Sequence, residues 1–278
     1  MSSPFRFFVS MIVLLFLIPG CTSNRIDQVD TSNAYLGQTL PGTTPQVFAP
    51  GVVSLPDSIE YAASFSPDGN EMYFTRRVGD TQNIYETHLV NDVWTEPAPV
   101  DFSAGYDAHE PHLTADNKTL YFGWFRTDNC SMEACIYATD RTADGWSTPR
   151  FVGEGMFVSS TNDGQLFITN FAGGSPNLSK VTLTDKQFSG YEYITSGVHP
   201  SIAPDGSYLV FDNGDGNLRV RFLLENGKWG DAKDLATQGI PSTAAIASIT
   251  PDGKYLFFVD NQDIYWVSSQ IIENLREE

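Results

Sequence analysis

Histidine is scarce in this chain, four residues among 278, and three of the four fall in two short stretches. His109 and His112 flank the carboxylate in Asp107-Ala108-His109-Glu110-Pro111-His112, and His199 stands in Val198-His199-Pro200. Neutral imidazoles beside a carboxylate can ligate a divalent cation or move a proton. Glu110, His112 and His199 are therefore the candidate metal set, with a divalent cation as the implied cofactor. With His109 they form the core of a candidate ligand site. Arg76, Trp124 and Arg126 follow apolar runs and are candidates for a binding rim. Glu60, Glu110 and Glu154 could serve as the paired acids of a glycoside hydrolase. The clusters Asp212-Asn213-Gly214-Asp215-Gly216-Asn217 and Asp260-Asn261-Gln262-Asp263 suit either calcium or tight hairpins, and lack the spacing of a helix–loop–helix calcium loop. No Gly-x-Ser-x-Gly elbow, phosphate-binding glycine loop or His-Glu-x-x-His helix is present.

The elements that must position these residues come from a repeat. Phe65-Ser66-Pro67-Asp68-Gly69 returns as Thr114-Ala115-Asp116-Asn117, Thr161-Asn162-Asp163-Gly164, Ala203-Pro204-Asp205-Gly206 and Thr250-Pro251-Asp252-Gly253. The steps between the aspartates are 48, 47, 42 and 47 residues. A period of this size marks a repeat architecture. Pro-Asp-Gly is turn chemistry, with Pro presetting φ and Gly supplying the left-handed residue. Each turn is followed by an apolar, aromatic run such as Met72-Tyr73-Phe74, then a polar loop, then a third strand. Trp94, Trp146, Phe188 and Trp229 introduce an outer strand in the first four units. Four short antiparallel strands per unit describe a propeller blade.

The fifth unit ends at Val267 without an outer strand. An orphan strand, Gln46 to Ala49, lies ahead of the first unit at the matching distance. The expectation is an all-β, five-bladed β-propeller over residues 41–278, closed by that N-terminal strand and followed by a short helix after Ser268.

Aligned on their turns, the inner strands can be compared column by column. Six residues before each turn Asp stand Ala62, Glu110, Phe157, His199 and Ile246; four before stand Ser64, His112, Ser159, Ser201 and Ser248. Side chains two apart on a strand share a face, so Glu110 and His112 are expected together, with His199 near them in the central channel. Departures from repeat logic are where function is expected. The structural alternative is that the serines bond neighbouring strands and the histidines only fill the channel.

These turns, the Trp-x-x-Pro landmarks and the ending Asp263-Ile264-Tyr265-Trp266-Val267 resemble the TolB-type, WD-like propellers of the bacterial envelope. Tyr35-Leu36-Gly37-Gln38 through Phe48-Ala49-Pro50-Gly51 resembles lipoproteins of that group. The resemblance runs over about residues 35 to 275 and departs at Asp116-Asn117 and in the third unit, which lacks the turn Pro and the landmark Trp. It implies an envelope propeller acting as a binding or scaffold module, and no particular reaction.

Residues 1–21 have the make-up of a targeting segment: Arg6, an apolar run from Phe7 to Ile18, then Ile18-Pro19-Gly20-Cys21. The ending resembles a lipoprotein cleavage site, with Cys21 the lipidated residue; a plain secretory signal is the alternative. Residues 22–40 are polar and read as a spacer. The expected location is the bacterial cell envelope, as a periplasmic or outer-membrane lipoprotein touching the membrane through its lipid alone. In such a compartment Cys130 and Cys135 are expected as a disulfide, a metal pair being the alternative. With 34 acidic residues against 16 basic, the net charge is −18. That field repels nucleic acid. Two function classes remain: an interaction module for a protein or glycan ligand, or a carbohydrate-active enzyme, hydrolase or lyase, using the channel carboxylate and histidines.

Overall fold

The structure is a computed structural model that describes residue 1 and residues 33–103, 107–124, 130, 134–214 and 216–276. Residues 2–32, which hold nearly all of the expected targeting segment and Cys21, lie outside the described residues, as does Arg126. Five antiparallel sheets follow one another in the chain, each with its strands in order from the inside outwards. Blade one comprises Ile59–Phe65, Glu71–Val78, Thr81–Val90 and an outer edge of Val93–Trp94 and Ala98–Pro99. Blade two comprises Ala108–Leu113, Thr119–Trp124, Cys135–Thr142 and an edge of Gly145–Trp146 and Arg150–Glu154. Blade three is Met156–Ser160, Leu166–Asn170, Asn177–Thr184 and Gln187–Ser196. Blade four is Val198–Ile202, Tyr208–Asp212, Arg219–Phe222 and Lys233–Asp234. Blade five is Ala245–Ile249, Tyr255–Asp260 and Asp263–Ser268, completed by Gln46–Val47 from the other end of the chain.

The closure has the expected register, Gln46 opposite Trp266 and Val47 opposite Tyr265. The Phe48 amide donates to the Ile264 carbonyl at 2.8 Å. Phe48 is wholly buried, its ring 5.1 Å from Phe257 and 5.2 Å from Trp266, both edge-on. Burying a Phe side chain contributes about 2–3 kcal/mol, so this one residue helps fasten the ring. The apolar core is not central. It divides into five clusters, each filling one seam between adjacent blades. Phe65 and Met72 meet Phe257 and Trp266 at the closing seam, and Tyr73 and Ile84 meet Leu120 and Phe122 at the next.

The helix Gln270–Arg276 buries Ile271, Ile272 and Leu275 against the seam of blades four and five. Cys130 and Cys135 are joined, with Cα atoms 5.9 Å apart. The packed part of the chain starts upstream of the expected boundary at residue 41. Tyr35 is buried, its ring 5.1 Å from Phe65 and 5.2 Å from Tyr255, and Trp94 Nε1 donates to the Asn33 carbonyl at 2.7 Å. The apolar trio Ala34-Tyr35-Leu36 explains why this part of the polar stretch packs rather than acting as spacer. Among the described residues no helix is long and apolar enough to cross a membrane.

Candidate functional site

Every inner strand carries the same backbone defect. Its pairing with the second strand slips by one residue, between Tyr61 and Ser64 in blade one, His109 and His112 in blade two, Met156 and Val158 in blade three, Val198 and Ser201 in blade four, and Ala245 and Ser248 in blade five. At the slip stand Ala62, Glu110, Phe157, His199 and Ile246, with φ of 55°, 54°, 51°, 51° and 51°. A left-handed backbone costs a non-glycine residue on the order of 1–3 kcal/mol. Its recurrence in all five blades makes it a property of the architecture, a β-bulge that re-aims one side chain per blade.

The bulge amides are met by the preceding blade. Glu110 N donates to Thr75 Oγ1 at 2.8 Å, His199 N to Thr169 Oγ1 at 3.0 Å and Ile246 N to Asp212 Oδ2 at 3.0 Å.

Glu110 of blade two and His199 of blade four meet across the channel, His199 Nε2 lying 3.8 Å from Glu110 Oε1. His199 Nδ1 is 2.8 Å from Asp212 Oδ2, so the imidazole stands between two carboxylates. Phe157 of blade three sets its ring edge-on to the imidazole, 5.4 Å away. Asp212 is fully buried and also accepts from Gly214 N at 2.7 Å. Burial disfavours the imidazolium of His199, but the Asp212 hydrogen bond and the charges of Asp212 and Glu110 outweigh it and hold the group above its ordinary range. Burial, then the Glu110 charge, drives the nearby Tyr61 phenol far upward; its hydroxyl donates to Gln82 Oε1 at 2.6 Å. One acceptor of the array stays open. Glu110 Oε2 is buried with no hydrogen-bond partner among the described residues, on a side chain 5 % exposed.

His112 is elsewhere. It lines a cavity of about 50 Å³ at the Pro-Asp-Gly end of the channel, where its Nε2 lies 2.8 Å from Ser160 Oγ. Burial alone pushes its imidazole down to about 4. Around it the serine column stitches the blades together: Ser64 accepts from Leu113 N at 2.9 Å, Ser159 from Ile202 N at 3.2 Å and Ser201 from Ile249 N at 3.1 Å.

The expected metal set is thus not assembled. Residues two apart share a face only on a regular strand, and the bulge between His109 and His112 breaks that rule. Glu110 and His199 come together near the loop end, while His112 serves the turn end. Among the described residues no group of three or more His, Cys, Asp or Glu is arranged to hold a metal ion.

Other candidates are dispersed. His109 packs over Gly123, where a Cβ would come within 2.5 Å of its Nε2, and its Nδ1 lies 3.0 Å from the Asp107 carbonyl. Arg76 is no rim residue: it is 8 % exposed, donates to Glu60 Oε1 at 2.8 Å and to the Val52 and Val53 carbonyls, and lies over the Tyr85 ring. It ties the closing segment to blade one. Glu60, fully buried, also accepts from Ser58 Oγ at 2.5 Å. Glu154 ends an outer strand of blade two, so the three glutamates do not converge as hydrolase acids. Trp124 is buried in the seam of blades one and two. Asp260 to Asp263 is a two-residue hairpin, Asn261 and Gln262 having φ of 46° and 78°, and not a cation loop.

Asp212, the first residue of a cluster whose composition suits either calcium or a tight hairpin, ends the second strand of blade four. Its signal lay on the second strands, in a column reading Thr75, Gly123, Thr169, Asp212 and Val259, where one acid breaks a small or apolar pattern.

Fold and site together define a five-bladed β-propeller with a charged pair in its channel. TolB from Acinetobacter baumannii aligns with a TM-score of 0.50 and 15% identity over 77% of this chain. The alignment takes in 55% of the TolB chain, so this chain spans about half its length. A thermostable family-43 glycoside hydrolase aligns with a TM-score of 0.51 and 11% identity, over 77% of this chain and 91% of the other. At such identities the likeness is one of fold. No protein-family model matches the chain, and neither does any curated protein sequence.

Proposed function

We propose that this chain is an envelope-tethered interaction module that receives a protein or glycan at the loop-side mouth of its channel, through Glu110 and His199. The carrying observation is the open acceptor Glu110 Oε2, buried and without a partner among the described residues. A buried polar atom left unsatisfied costs about 1–3 kcal/mol, more for a charged group. A ligand that presents a hydroxyl, amide or ammonium donor there recovers that cost. Binding is favoured over turnover because Asp212 is spent on three N–H groups and Glu60 on Arg76. Membrane contact in this reading is through a lipid on Cys21 alone, which labelled fatty acid would reveal and Cys21→Ser would remove.

The experiment is a glycan and peptide binding screen on the full chain in detergent. Glu110→Ala and His199→Ala should each abolish binding of a hit without unfolding the protein. Unchanged affinity in both variants would overturn the reading. The second reading, a carbohydrate-active hydrolase or lyase, is favoured by the Glu110–His199 pair as a proton-moving couple. Release of reducing or unsaturated sugar ends, lost in Glu110→Gln, would select it.

A further inference from the structure

Blade three ends differently from the other four. Its outer strand, Gln187–Ser196, runs for ten residues, whereas the outer edges of the other blades are strands of two to five residues. Among the described residues, no element pairs with its far side. Short edge strands are how sheet proteins avoid unwanted pairing, and a long one presents a row of free N–H and C=O groups. The third unit is also the one whose landmark Trp is replaced, by Phe188, so the irregular edge of blades one and two is lost here.

The edge has a defined usable stretch. Pairing with Asn177–Thr184 is uninterrupted from Gly190 to Tyr193 and slips on either side. Tyr191 and Tyr193, two apart and on one face, are 49% and 61% exposed. Phe188, upstream, turns into the seam with blade two, over Gly153. Two exposed tyrosines on an unpaired strand are costly to leave uncovered and well suited to stack on an incoming strand.

We propose that this edge is a docking site for an extended, basic segment of another protein, which adds as a further strand beside Gly190–Tyr193. Main-chain hydrogen bonds would supply affinity, and alternate side chains specificity. Charge selects the occupant. Glu192 alternates with the tyrosines along the strand, opposite Lys180 in register, Glu154 lies close enough to Tyr191 to act on its phenol, and the field of the whole chain is acidic. The chain as a whole carries −18. A second copy of this chain would bring that charge against itself and set one Glu192 near another. A lysine- or arginine-bearing strand with β-branched residues facing Tyr191 and Tyr193 meets both requirements. This surface is separate from the channel mouth, so the two proposals stand or fall independently.

The test uses the full chain in detergent and a labelled, end-blocked nine-residue peptide of alternating valine and lysine, followed by fluorescence anisotropy. Saturable binding is expected, weakened roughly tenfold by Glu192→Lys and by the Tyr191→Ala/Tyr193→Ala pair. N-methylation of alternate peptide residues should abolish it, since it removes the donors of one edge. Glu110→Ala should leave it unchanged. All three substituted edge residues are exposed, so the fold survives the changes. The proposal is overturned by the absence of saturable binding, by equal binding of the valine–glutamate counterpart, or by insensitivity to the edge variants. Sedimentation showing a dimer that Glu192→Lys alters would overturn it in favour of self-pairing.

Discussion

The two ends of the central channel are built from the same five strands and satisfy their polar atoms in opposite ways. At the turn end, hydroxyls answer amides blade by blade, and His112 substitutes for a serine by bonding Ser160. Its imidazole is kept neutral by burial. At the loop end, the bulge residues Glu110 and His199 bring two ionisable groups to the axis, and Asp212 and Glu110 raise the His199 imidazole above its ordinary value against the pull of burial. One end closes its hydrogen bonds within the repeat; the other holds an acceptor, Glu110 Oε2, with no donor among the described residues. What differs is two side chains in a column that elsewhere reads Ala62, Phe157 and Ile246.

The largest effect should come from removing the hub of the charged end. Asp212→Ala leaves the His199 imidazole, Ile246 N and Gly214 N without their acceptor, and should cost about 3–5 kcal/mol in denaturant unfolding. If the loss is under about 1 kcal/mol, Asp212 does not organise that end.

The second effect is a dependence on pH whose sign differs between the ends. The His112 pKa is about 4 in the folded chain, against about 6.5 unfolded. The unfolded chain therefore binds the proton first. Stability from this group is present above pH 6.5 and lost as pH falls from about 6.5 to 4, by up to about 3 kcal/mol. His199 is raised, so its contribution is full below pH 6.5 and fades as pH rises through its folded value. Unfolding curves of His112→Ser against the parent should differ in the acid window and converge above it.

The smallest effect isolates the repeat itself. His112→Ser restores the residue used in the other four blades and should change stability at pH 7 by less than about 1 kcal/mol. A larger loss would mean that His112 has a structural role the serine column does not share.

These contrasts explain what could and could not be read from the sequence. The turns and the missing strand after Val267 announce themselves through spacing, because turn residues and strand length are local properties. The packing of Tyr35 is hidden because one short apolar trio inside a polar stretch leaves no periodic trace. The bulge was invisible for a related reason: an extra residue at a left-handed φ carries no composition signal when Ala, Glu, Phe, His and Ile all occupy it. Glu110 and His199 stand out in the inner-strand columns, whereas His112 joins them only under the strict alternation that the bulge breaks. Asp212 escaped because it partners across the blade, on a strand that the inner columns do not include.

The most direct test is NMR titration of the imidazole C–H signals in the full chain. With His112 neutral and His199 charged at pH 6, their midpoints should fall on opposite sides of 6.5, His112 near 4. Glu110→Gln should lower the His199 midpoint and leave that of His112 in place. Two histidines titrating together near 6.5, or a His199 midpoint indifferent to Glu110→Gln, would contradict the division of the channel.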